Sequence, residues 1–219
     1  MHTSESSDCG QSTAIEQVRA YKKAGYAGII ITDHFLNGNS SCPRGLQWQD
    51  AMRYVCAGYA AAKVEGDKLG IDVFFGWEFG GRGKEQGTEL LTYGLDISFL
   101  LAHPGLDSMP HAQYCQLVRE SGGFIAQAHP YRARSYIANP MPVSPSLVDA
   151  LEVYNGGDQA EANSRALEFA KTHNMPMQAG SDSHSALGVK RCGIRLASKA
   201  STIFDIIRAI KGFEVELVC

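Results

Sequence analysis

Six short apolar runs, most of them closing on a residue able to bind a metal, constrain this chain more than any other feature of its sequence. They are residues 28–33 (GIIITD), 73–78 (VFFGWE), 90–95 (LLTYGL), 123–128 (GFIAQA), 150–154 (ALEVY) and 177–181 (MQAGS). Their length suits β-strands, and their nearly unbroken apolar character suits strands covered on both faces. Amphipathic stretches lie between them at 13–24, 47–69, 111–121, 159–173 and 202–211. Thr13 and Glu16 form a capping-box pattern at the start of the first, and Gly25 supplies its stop. Such alternation predicts an α/β fold with parallel strands. No repeat, low-complexity tract or linker divides the 219 residues, so one domain over 1–219 is expected.

In a parallel barrel every strand points the same way, and residues remote in sequence meet at the C-terminal face. Asp33 and His34 end the first run and Glu78 ends the second. His129 follows the fourth, Tyr154 and Asn155 close the fifth, and Asp182 and His184 follow the last. Three His, two Asp and one Glu are the donor set of zinc, iron or manganese sites. Two such ions held ~3.5–4 Å apart activate a water, polarise a phosphoryl oxygen and stabilise a leaving oxygen. The loops at 36–46 and 130–145 follow these polar ends and are expected to overhang the site.

Plainer uses compete for each residue. Asp33 is a good helix N-cap, Asp8 fits an Asx turn, and His2 stands where chains fray. Taken together the set favours metal, with Asp33 orienting a ligand from behind rather than binding. His103, His111 and His173 are expected at the surface. Arg132 and Arg134 lie three and five residues beyond His129 and offer planar forks for phosphate oxygens, with Arg132 the better candidate. Cys9, beside Asp8, reads as an incidental thiol rather than a nucleophile. Neither a Gly-x-Ser-x-Gly elbow nor a P-loop is present.

Read in order, His2-Thr3 with Asp8, Thr32-Asp33-His34, Gly76-Trp77-Glu78, Ala128-His129-Pro130 and Gly180-Ser181-Asp182-Ser183-His184 resemble the successive motifs of the PHP (polymerase and histidinol phosphatase) family. The resemblance runs from residue 2 to about residue 190. It implies a distorted (β/α)7 TIM-like barrel and two or three divalent metal ions. His2, Glu78 and Asp182 would hold one, Glu78 would bridge to a second on His129, and Asp8, His34 and His184 would hold a third. Glu89 falls where the family usually has a further His ligand. The chain departs from the pattern at its start, where Met1 occupies the middle of the family's His-x-His motif. The first His and the first strand are therefore missing, either because an internal Met was taken as the start or because the strand is lacking.

Net charge decides among partner classes. A value of −3 supplies no basic field for nucleic acid, which is expected only as a nucleotide or oligonucleotide substrate. No apolar run is long enough to span a membrane, and the polar start lacks a signal peptide. Six scattered cysteines without a CxxC pair read as reduced thiols in a cytoplasmic protein. The expectation is therefore a metal-dependent phosphoesterase acting on a small phosphorylated substrate. Glu78, His129 and Arg132 would be catalytic, and His2, Asp8, His34, Glu78, Glu89, His129, Asp182 and His184 would bind metal. Oligomeric state is open. The competing readings are a weakly active or inactive metal-binding domain with a structural or regulatory role, and an amidohydrolase on a related barrel.

Overall fold

A computed structural model describes residues 1–219. All six runs are strands of one sheet, in spatial order β1 to β6: β1 (Gly28–Ile31), β2 (Asp72–Phe79), β3 (Leu90–Tyr93), β4 (Phe124–Gln127), β5 (Ala150–Asn155) and β6 (Met177–Gly180). Their pairing departs from the all-parallel expectation. β1–β2, β4–β5 and β5–β6 are parallel, but β3 runs antiparallel to both β2 and β4. An apolar run reads the same in either direction, so its sequence did not reveal the reversal. The consequence is that the N-terminal end of β3, not its C-terminal end, opens onto the face where its neighbours finish.

β2 shows how the sheet sorts its side chains. Val73, Phe75, Trp77 and Phe79 pack against helices, whereas Phe74 and Glu78 face inward, following the two-residue period of a strand. β5 does likewise, with Leu151 and Val153 outward and Ala150 inward. The helices are α1 (Ala14–Lys23), α2 (Trp48–Val55), α3 (Ala57–Leu69), α4 (Ile97–Ala102), α5 (His111–Glu120), α6 (Ala160–Thr172) and α7 (Ile203–Lys211). Thr13 and Glu16 cap α1 reciprocally, as their spacing predicts. The single helix expected over 47–69 is two, broken at Cys56. Ile206, Ile207 and Ile210 of α7 pack on inward residues of β3, β4 and β5 and so floor the curled sheet.

The sheet is a half-barrel and not a closed seven-stranded one, because β1 and β6 remain unpaired edges. At the upper end alone, residues 1–3 stand in the gap. The Thr32 N–H donates to the Met1 carbonyl at 3.0 Å, and the His2 N–H donates to the Ser183 carbonyl at 2.8 Å. Two further strands, β7 (Gly193–Leu196) and β8 (Val215–Val218), pair antiparallel beside β6. Cys192 and Cys219 bracket that pair and are joined as a disulfide, with Cα atoms 4.0 Å apart. The expectation of six free thiols is thus corrected: antiparallel pairing brings the two ends together, and only Cys9, Cys42, Cys56 and Cys115 are free. No helix is long and apolar enough to cross a membrane.

Candidate metal centre

Seven of the eight expected ligands gather at the open face of the sheet. The β1–β2 pairing continues past the end of β1: Glu78 N–H donates to the Asp33 carbonyl at 3.0 Å and Phe35 N–H to the Glu78 carbonyl at 2.8 Å. His34 therefore stands beside Glu78. Glu89 immediately precedes β3, so the reversal of that strand delivers it to the same face. His129 and Asp182 follow β4 and β6 in left-handed backbone (φ 29° and 46°). Such conformations cost of order 1–3 kcal/mol and persist where the surroundings impose them. The His129 N–H donates to Glu152 Oε2 at 3.0 Å, which anchors that turn.

Glu78 is the hub. Its Oε1 lies 3.3 Å from His129 Nε2, while its Oε2 lies 3.3 Å from His2 Nε2 and 3.2 Å from His34 Nδ1. Glu89 spans the same two histidines from the other side, at 3.1 Å from His129 Nε2 and 3.6 Å from His34 Nδ1. Asp182 Oδ1 is 3.2 Å from His2 Nε2. The His2 ring stacks between those of His34 and His184, with centroids 4.4 and 4.7 Å away. All of these side chains are at most 14% exposed except His184, at 30%, which marks the open side.

Charge in this cluster is out of balance. Burial pushes His2 down to about 4 and His34 down to about 3, so both are neutral imidazoles with lone pairs to offer. Burial, followed by the neighbouring Glu89 carboxylate, pushes Glu78 up to about 8. His129 is raised in spite of its burial, through hydrogen bonds with Glu78 and Glu89. Asp182 is held well below the usual carboxylate range against the opposing effect of burial, by His2, His129 and Arg132. The His34 Nδ1 has no hydrogen-bond partner although it is buried. Crowded carboxylates, neutral imidazoles and an orphaned ring nitrogen are what a divalent cation would satisfy together, so the residues present fit metal.

Asp8 is not among them. It is exposed, with its backbone N–H donating to the Asn39 carbonyl, and the next residue, Cys9, faces the cluster instead. The expectation for Asp8 mistook which residue of a tight turn points inward, a register that the turn's composition does not disclose. Donor atoms within 4.8 Å of one another form three groups: His2 with Asp182 and His184, His34 with Glu78 and Glu89, and His2 with Cys9 and His34. Asp33 lies behind them and accepts from Thr3 N–H (2.6 Å), Thr3 Oγ1 (2.8 Å) and Ser7 Oγ (2.7 Å). Arg132 is nearly buried, donating from Nε to Asp158 (2.8 Å) and from Nη2 to Asp182 (2.6 Å) and Asn155 (3.0 Å). Arg134 is exposed on its loop. Of the three histidines expected at the surface, His111 is buried, its Nε2 3.2 Å from the Gly80 carbonyl.

Glu152, not among the expected site residues, is buried beneath the cluster and accepts from both His129 N–H and Asn155 Nδ2 (2.8 Å). A carboxylate flanked by Leu151 and Val153 in an apolar strand was the available signal. Below it, a cavity of about 780 Å³ runs down the inside of the sheet, reaching Tyr93, Gln178 and Ile210.

A family model described as PHP-associated matches residues 160–212, which cover α6, β6, β7 and α7. No functionally curated protein matches the sequence. Among solved structures, a two-domain protein from Bacteroides vulgatus containing a predicted PHP-like metal-dependent phosphoesterase superposes with a TM-score of 0.72 at 16% identity, over 99% of this chain and 62% of its own. The chain thus spans less than two thirds of that protein. A provisional metal-dependent phosphoesterase from Bifidobacterium adolescentis gives 0.56 at 16% identity, over 98% and 95% of the two chains. An amidohydrolase from Chromobacterium violaceum, with bound sulfate and no metal, gives 0.61 at 15% identity, over 99% and 96%. At these identities the likeness is one of fold. This chain is thus similar to the PHP-associated family over residues 160–212 and, in fold, to a protein containing a PHP-like domain.

Proposed function

We propose that this protein is a metal-dependent hydrolase of phosphate esters, built as one distorted (β/α)7-like barrel domain in which residues 1–3 stand at the top of the seventh strand position. The observation that carries the reading is the division of Glu78: one carboxylate oxygen faces His129 and the other faces His2 and His34. That division suits a carboxylate shared between two cations. His2 and Asp182 join Glu78 on one side, with His184 adjoining, and His129 and Glu89 join it on the other. Zinc, iron or manganese bound there would activate a water and offset charge building on the phosphoryl oxygens.

The protein's own residues do the rest. Arg132 keeps Asp182 ionised and aimed at His2. Nη1 is the part of its guanidinium with no partner, and so the part free to meet a phosphate oxygen. His184, the most exposed member, lies where a small phosphorylated substrate enters. The amidohydrolase among the similar folds favours a second reading, in which the same centre cleaves amides. No lysine directly follows any of the six sheet strands, so this reading lacks a strand-end lysine to carbamylate.

Elemental analysis followed by turnover of phosphate esters and amides tests the proposal. Two or three equivalents of metal per chain and chelator-sensitive phosphatase activity are expected. His129→Ala should lower that activity at least ~100-fold and reduce metal content. Full activity with unchanged metal in this variant would sink the assignment. Failure to bind added metal would turn the reading toward a structural or regulatory domain.

A further inference from the structure

Cys9 is the one thiol that faces the cluster. Its sulfur and one nitrogen from each of His2 and His34 lie within 4.8 Å of one another. His2 and His34 are buried at 2% and 6% exposure, and the Nδ1 of His34 lacks a hydrogen-bond partner. The position of Cys9 is imposed by its turn. Ser7 bridges to Ser40, the Gly10 N–H donates to the Ser7 carbonyl at 3.0 Å, and Gly10 packs so tightly on Thr3 that a β-carbon there would fall 2.4 Å from the Thr3 backbone. The turn thereby holds Cys9 against the same two histidines that the strand ends deliver.

We propose that Cys9 is a metal ligand, its thiolate completing with His2 and His34 a cation position that prefers zinc to manganese. This rests on the metal-dependent reading above and deepens it. Tetrahedral zinc with N and S ligands at ~2.0 and ~2.3 Å sets ligand atoms about 3.3–3.5 Å apart, so small side-chain rotations close the triad. On binding, the S–H bond breaks, the sulfur keeps the electron pair and donates it to the cation, and one proton leaves to solvent. A carboxylate at this position, the role expected of Asp8, would serve manganese as well as zinc. A thiolate does not, because soft sulfur discriminates against hard cations.

Cobalt(II) added to metal-free protein reads this directly. Thiolate ligation gives a near-ultraviolet sulfur-to-cobalt charge-transfer band, while any tetrahedral or five-coordinate cobalt gives visible d–d bands. The wild type is expected to show both. Cys9→Ser and Cys9→Asp should lose the charge-transfer band and keep the visible ones, and Cys42→Ser, which alters the other half-buried thiol, should keep both. Cys9→Asp, which leaves a ligand in place, should also lose the preference for zinc over manganese in competition. Visible bands without charge transfer in the wild type, or a charge-transfer band surviving in Cys9→Asp, would overturn the proposal alone. If no cobalt bands develop at all, the metal-dependent reading fails and this one with it.

Discussion

Arg132 joins two aspartates, Asp158 at 2.8 Å and Asp182 at 2.6 Å, with Asn155 filling out the fork at 3.0 Å. Its own side chain is 10% exposed and those of its partners are 3% and 8%, so solvent screens little of this. Removing one member of a buried ion pair typically costs 3–5 kcal/mol, since it strands the other charge. Arg132→Ala is accordingly expected to destabilise the metal-free protein by about 3 kcal/mol or more in urea denaturation. A cost below about 1 kcal/mol, the scale of an exposed pair, would mean that the network does not form in solution. At this scale most of the candidate site was legible. His34, Glu78, His129, Asp182 and His184 announce themselves by following apolar strands. Asp8 and Cys9 did not, because adjacent residues in a turn point opposite ways and nothing in SSDCG says which is inward.

Among the elements, the turn over residues 4–10 tolerates little change. It lies between the His2 position and the loop at Ser40, and Gly10 is its closest approach, with no room for a methyl group over Thr3 and Ser4. Gly10→Ala must displace backbone rather than a flexible side chain. We expect roughly 1–3 kcal/mol of destabilisation, the usual cost of overpacking, together with lower metal content. A thermal melt paired with metal counting checks it, and an unperturbed variant would show that the turn can relax. The six sheet strands and four of the helices were legible, with α2 and α3 read as one, because burial on both faces leaves an unmistakable apolar run and amphipathic spacing does the rest. β3's direction was not, since hydrogen-bonding sense leaves no mark on composition. β7 and β8 escaped for a different reason: they are four-residue strands, half exposed, with no long apolar stretch.

For the whole molecule, the buried titrating groups predict how stability without metal changes with pH. His2 and His34 titrate in the fold at about 4 and about 3 instead of 6.5, so the unfolded chain binds more protons and stability falls as pH drops below about 6.5. Glu78, raised from 4.5 to about 8, and His129, raised above 6.5, act in the opposite sense. The folded state holds their protons longer, and stability falls as pH rises from 6.5 toward 8. Metal-free protein should therefore melt lower at pH 8 than at pH 6.5. Saturating zinc should abolish or reverse that slope, because it binds the deprotonated ligands. Parallel melting curves at the two pH values decide it, and a metal-free protein that gains stability across this interval would contradict the arrangement of charges.

The covalent link at the far end of the chain bears on how the protein behaves when cut. Because Cys192 and Cys219 are bonded, residues 193–218 form a closed ring whose helix α7 is packed into the curled sheet, with Phe213 exposed on the ring at φ 58°. A protease that nicks the ring opens a loop but releases no fragment, and the two new ends stay tethered beside β6 until a reductant frees them.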